Sequence, residues 1–182
     1  MLKGLERLIY WHLQKVNLSV NPFHKNLFSY REGVGTDDAL HALISKVEKA
    51  QENKQITVLL FLDIKSAFNN ASVTGMLNNM KEQGFNNRII RWSKDMLENR
   101  EIIAKYNNHT VTKKDIAGTP QGGIKSGGIN WNGNGNQLLK KFPRTHPTSL
   151  LVFADDNIVV ATGIDINAIM DNLGRDVGTI LG

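Results

Sequence analysis

QITVLLFLDIKSAFNN, from Gln55 to Asn70, is the stretch on which the fold turns. It opens on an uninterrupted apolar run, Ile56 to Leu62, rich in β-branched and aromatic residues. Such a run predicts a central strand buried on both faces. Asp63 follows immediately. A carboxylate there is costly to bury unless a partner or a metal balances it. Taken alone, Asp63 is an ordinary cap for the loop or helix that follows.

A second stretch changes that reading. SLLVFADDNIVV, Ser149 to Val160, predicts two apolar strands around a polar tip, Asp155-Asp156-Asn157. These short side chains tolerate left-handed backbone and bond to it, so they suit a turn. The pair alone is equally an ordinary solvated turn. A hairpin carrying acids at its tip, set beside a strand ending in an acid, gathers three carboxylates at one point. Hard oxygen ligands of this kind hold divalent metals for phosphoryl or nucleotidyl transfer.

Composition sets the outer bounds. The chain has 182 residues, 41% hydrophobic and 21% charged, which predicts one domain, or one and part of a second, with a real core. No apolar run approaches the roughly 20 residues of a membrane span, and no cysteine is present to make a disulfide or a thiolate metal site. Net charge is +5, mildly favourable to a polyanionic partner and insufficient to argue one.

Helical spacing of Leu2, Leu5, Leu8, Ile9, Leu13 and Val16 predicts an amphipathic first helix, which Asn21-Pro22 interrupts. Thr36 is the expected N-cap of a second helix running through Ala39, Leu43 and Val47 to Ala50. Beyond the strand, residues 73–83 and 88–97 read as helices, and 100–106 with 110–116 as a hairpin over Asn107-Asn108-His109. A last helix spans 164–180. Two phosphate-loop readings fail: Asp38 stands where the dinucleotide fingerprint needs its third glycine, and Lys125 is one residue out of register behind Gly118 and Gly123. The five histidines show no metal-ligand spacing. The order of elements predicts an α+β fold with a small antiparallel sheet covered on one side.

LDIKSAF, GTPQGG and FADD occur in that order. They resemble motifs A, B and C of the reverse transcriptases of non-LTR (LINE/jockey-type) retrotransposons. LKGLERLI, REGVGTDDALHALISKVEKA and WSKDMLENR are also similar to that family, so the resemblance covers nearly the whole chain. It implies a polymerase palm, a small antiparallel sheet backed by helices, with part of the fingers and no thumb. Residues 1–54 would be partial fingers and fingers–palm helices, and 55–182 the palm with its three motifs. The implied activity is RNA-templated DNA synthesis by two-metal nucleotidyl transfer.

Carried over residue by residue, the resemblance makes Asp63, Asp155 and Asp156 the catalytic ligands of two Mg²⁺ ions, which Mn²⁺ can replace. The backbone carbonyl of Ile64 would add a further ligand. Phe68 falls at the position where a large ring excludes a 2′-hydroxyl, and Gln121 with Gly122 would contact the incoming nucleotide. The implied partners are an RNA template, a DNA primer and deoxynucleoside triphosphates, with no membrane. Arg88, Arg91, Lys94, Arg100, Lys113 and Lys114 could contact template or primer phosphates, though a solvated helix or hairpin face is the better reading of each.

The chain departs from the family pattern in three ways. The upstream fingers segment and the downstream motif D and thumb are not within it; with an endonuclease region, they would belong to a longer parent chain. Motif B also differs: Lys125 replaces a core leucine, one extra residue precedes Trp131, and Gly127, Gly128, Gly133 and Gly135 would each cost a helix about 1 kcal/mol. The pattern implies a fragment or decayed copy with weak or no activity alone. The alternatives are a non-catalytic, basic nucleic-acid-binding remnant and a metal-dependent phosphohydrolase, in which Phe68 and Pro120-Gln121-Gly122 have no role.

Overall fold

The computed structural model describes residues 2–98, 100–115, 118–120, 126–143 and 147–181. Gln121 and Gly122 lie outside the described residues. The chain divides into two compact units, Met1–Pro22 with Ser66–Asn134, and Phe23–Lys65 with Gly135–Gly182.

The second unit carries the sheet. Strands β1 (Ile56–Leu62), β4 (Thr148–Phe153) and β5 (Asp156–Gly163) pair antiparallel in the order β1-β5-β4. Helix α2 (Thr36–Glu52) packs on all three strands, and α7 (Ile166–Leu181) packs on β5 through the buried Ile169 and Leu173. Phe28, Leu151 and Val160 are the buried centre, with Ala39, Leu43, Leu59 and Phe153 packed around it. The loop before α2 is tied to the sheet, since Phe28 N–H donates to the Val152 carbonyl and Val152 N–H to that of Asn26, each at 2.9 Å.

Three expectations need correction. Among the described residues β1 is an edge strand, with β5 central, and Phe61 is 66% exposed, so β1 is not buried on both faces. An apolar run alone does not reveal which strand its neighbour pairs with next. The hairpin closes one residue earlier than Asp155-Asp156-Asn157: Phe153 faces Asp156, leaving Ala154-Asp155 as the loop, with Ala154 at φ +55°. Thr36 does not cap α2. Gly35 takes the N-cap place, and its N–H donates to the Asp38 carboxylate at 2.8 Å.

The first unit contains α1 (Leu2–Val16), the short α3 (Ala67–Asn70), α4 (Val73–Glu82), α5 (Asn87–Glu98) and the hairpin β2–β3 (Arg100–Tyr106, His109–Asp115). Leu13, Met76, Met80, Leu97, Ile129 and Trp131 are buried. The Ser72 hydroxyl caps α4, accepting from Gly75 N–H at 3.1 Å. Gly118 N–H donates to the Ala71 carbonyl at 2.9 Å and Thr119 N–H to that of Phe68 at 2.8 Å, which fixes the start of the Gly-Thr-Pro segment on the turn after α3.

The glycine-rich segment forms helix despite its propensity. Ser126–Trp131 is a π-turn leading into α6 (Asn132–Lys141). A π-turn is a helix with one residue too many per turn, the form in which the extra residue that the resemblance implies before Trp131 would be accommodated. Gly135 is also there for space. A Cβ at Gly135 would stand 3.0 Å from Leu27 Cδ1 and 3.1 Å from Val152 Cγ1, both side chains 1% exposed. Gly135→Ala gains about 1 kcal/mol of helix propensity but meets about 1–3 kcal/mol of crowding. A net loss of about 1 kcal/mol is expected in a urea titration. Gly133→Ala meets only the Asn79 side chain, at 3.2 Å, and is expected to be near neutral.

Candidate active site

The strand register brings the acids to one end of the sheet. Leu62 of β1 faces Asn157 of β5, so Asp63 and Asp156 occupy the next positions outward on neighbouring strands. Both are exposed, so neither bears the desolvation cost that a buried strand end would impose. They line one cavity of about 460 Å³ with Asn157; Leu40, Leu43 and Phe153 supply its apolar wall.

Asp155 stands apart from that cavity lining. Its charge reaches Tyr30, whose phenol is pushed above its ordinary range by burial first and by Asp155 second. Tyr30 itself sits at φ +49°, a conformation costing a bulky residue about 1–2 kcal/mol. Asn157, 4% exposed, holds the loop: its Nδ2 donates to the Asp155 carbonyl at 2.9 Å. Its Oδ1 is buried with no hydrogen-bond partner.

Among the described residues no three His, Cys, Asp or Glu side chains come together to hold a metal ion. The donor chemistry nevertheless fits a hard cation. Two carboxylates line one cavity, and Mg²⁺ characteristically takes one or two carboxylates while keeping waters and substrate phosphates.

Phe68 belongs to the first unit, where its ring stacks on Trp131 with centroids 4.8 Å apart. Ile64 follows Asp63 into the loop, 42% exposed. Reasoning from sequence missed Tyr30, whose proximity to Asp155 is a long-range contact. It also missed the close backbone approach of Gly118 to Phe68 and Asn69.

Residues 1–180 match the family described as reverse transcriptase (RNA-dependent DNA polymerase). The RNA-directed DNA polymerase from mobile element jockey of Drosophila melanogaster is 29% identical over 171 residues, covering 92% of this chain and 18% of that protein. The probable RNA-directed DNA polymerase from transposon X-element of the same organism is 27% identical over 123 residues, 67% of this chain and 13% of the relative. The chain thus spans less than a fifth of the length of these relatives. Apo telomerase from Candida tropicalis superposes with a TM-score of 0.62 at 13% identity, over 96% of this chain and 32% of that one. Its form truncated from the C-terminal domain gives 0.59 at 12% identity, over 97% and 36%. This likeness agrees with the palm-like α+β fold, and the match to the family description covers almost the entire sequence: the chain belongs to the reverse transcriptase family, among relatives from non-LTR elements.

Proposed function

We propose that the chain carries the nucleotide-adding centre of an RNA-templated DNA polymerase. The observation that carries this reading is the register that sets Asp63 and Asp156 side by side at the cavity mouth, with Asp155 in the adjoining loop. Residues 55–182 would be the palm and 1–54 part of the fingers. Asp63, Asp155, Asp156 and the Ile64 carbonyl would hold two Mg²⁺ ions, or Mn²⁺ in their place. When bound, such ions lower the pKa of the primer 3′-hydroxyl and offset charge on the departing pyrophosphate.

The chain's own residues supply binding and orientation. Asn157 fixes the backbone that presents Asp155 and Asp156. Gln121 and Gly122 would bind the incoming deoxynucleoside triphosphate. Phe68 would exclude ribonucleotides, its ring held by Trp131. Phe68→Val is expected to raise ribonucleotide incorporation, relative to deoxynucleotide, by on the order of a hundredfold, the effect of about 2–3 kcal/mol of lost steric discrimination. Competing single-nucleotide incorporations measure the ratio.

Synthesis by this chain alone would be weak, since among the described residues no three acidic side chains come together to hold a metal ion. The same observation favours the second reading, a non-catalytic basic nucleic-acid-binding remnant. Template-dependent incorporation onto a DNA primer separates them: the polymerase reading predicts addition that follows the RNA template sequence, and the remnant reading predicts binding without addition.

A further inference from the structure

The three-stranded sheet has two outer edges, and the chain treats them differently. On β4 the edge is covered: Phe28 N–H donates to the Val152 carbonyl, Val152 N–H donates to that of Asn26, and Leu27 bridges to Val152. On β1 no described residue pairs with the side turned away from β5. An open edge offers unpaired N–H and C=O groups to any extended chain, so proteins guard it with lysine, proline, a bulge or a cover. The β2–β3 hairpin is guarded in this way, with Arg100, Lys105, Lys113 and Lys114 inside its strands. Strand β1 is not. It reads Ile-Thr-Val-Leu-Leu-Phe-Leu, without charge or proline, and its register with β5 has no bulge. None of its residues is buried, and Phe61 is the most exposed of them.

The two ends of β1 carry opposite charge. Lys54 stands just before the strand, and Lys46 and Lys49 of α2 line a concavity at that end with Gln55. Asp63 follows the strand, and Asp156 lies at the same end of neighbouring β5. Lys54 is held at φ +54° directly after the cap of α2, with its N–H donating to the Gln51 carbonyl and Gln55 N–H to that of Ala50. Glycine or asparagine ordinarily fills that left-handed place, so the helix end has no use of its own for a lysine. The Lys54 side chain is exposed and makes no ion pair among the described residues.

We propose that the open edge of β1 docks a second copy of this chain, the two β1 strands pairing antiparallel about a two-fold axis at Leu59. This register overlaps all 7 residues of each strand. Ile56 would face the partner's Leu62, Thr57 the partner's Phe61 and Val58 the partner's Leu60. Aliphatic and aromatic–β-branched pairs of this kind stabilise antiparallel ladders, and no charged side chain meets its own like. Opposite strand directions also set the Lys54 end of each copy beside the Asp63 end of the other, twice over. Parallel pairing would instead bring lysine to lysine and aspartate to aspartate. The two-fold contact is isologous and uses up the open edge of both copies, so the assembly closes at two. It does not depend on the nucleotide-adding reading, and its test reads mass, not synthesis.

Sedimentation equilibrium of the full chain tests this. The expected result is a concentration-dependent shift from 20.3 kDa to twice that mass. Its dissociation constant should be on the order of 10 μM, as suits a small interface. Phe61→Lys puts a charge on the open edge and is expected to weaken association about tenfold or more. Val20→Lys, at a still more exposed apolar side chain outside the sheet, should change it less than about twofold. Lys54→Glu is expected to weaken association on the order of tenfold. Adding Asp63→Lys to it should restore association to within about threefold, because each end again meets its opposite. If Phe61→Lys lowers the melting temperature, the charge reversal and its rescue decide the matter. A monomer at every concentration would leave the edge to some other occupant and overturn the proposal. So would growth beyond two copies, equal losses from Phe61→Lys and Val20→Lys, or a charge reversal that the second substitution fails to rescue.

Discussion

Gly118→Ala is expected to destabilise the chain by about 2–6 kcal/mol, more than Gly135→Ala or Gly133→Ala. Two independent causes combine. Gly118 is at φ +75°, where a residue with a Cβ costs about 1–3 kcal/mol. That Cβ would also run into the Phe68 carbonyl oxygen, and would lie 2.6 Å from that of Asn69 and 2.8 Å from the Asn69 Cα. All three are backbone atoms, so no side-chain rotation relieves the contact, and overpacking adds about 1–3 kcal/mol. The change would also break the bonds from Gly118 N–H to Ala71 and from Thr119 N–H to Phe68 that set the Gly-Thr-Pro segment against α3. Against a typical stability of 5–15 kcal/mol, this is a large fraction. Urea unfolding of the variant, followed by circular dichroism, measures it; a loss below about 1 kcal/mol would show that the close approach is not as described.

Asp63→Asn is expected to lower nucleotide addition about a thousandfold while leaving stability within about 0.5 kcal/mol. The asymmetry follows from exposure. Asp63 is open to solvent, so its replacement by an isosteric amide disturbs no core and strands no buried charge. On the proposed reading its value lies in charge: an amide oxygen is a poor substitute for a carboxylate toward a hard divalent cation. Stabilisation of several kcal/mol at the reacting phosphate corresponds to about three powers of ten in rate. Single-turnover incorporation together with a urea titration separates the two quantities. A variant that loses stability in proportion to activity would make Asp63 a structural residue.

The parts of the fold legible in the sequence are those decided locally. Alternation about Asn107-Asn108 placed the β2–β3 hairpin within a residue of its observed bounds, because its pairing partners are also its sequence neighbours. The spacing of Leu5, Leu8 and Leu13 likewise marked α1. The edge position of β1 was not legible: it depends on β5 pairing with both β1 and β4, a choice made between segments nearly a hundred residues apart. Nor was Ala154 as the left-handed residue of the hairpin, since Asp155 and Asn157 have the better propensity and the strand register overrides it. The glycine-rich segment looked like damage because helix propensity counts what glycine lacks. At Gly135 the neighbouring Leu27 and Val152 would crowd even a methyl group.

The site divides along the same line. Motif order named Asp63, Asp155 and Asp156, and the sheet brings Asp63 and Asp156 to a shared cavity. The approach of Asp155 to Tyr30 depends on a loop more than a hundred residues earlier in the chain.

Primer extension on an RNA template with deoxynucleoside triphosphates and Mg²⁺, run for the chain and for Asp155→Asn side by side, tests the central claim most directly. The account predicts slow, template-directed addition of a few nucleotides that Asp155→Asn abolishes. Equal extension by both, or none by either from protein shown to be folded, would contradict it.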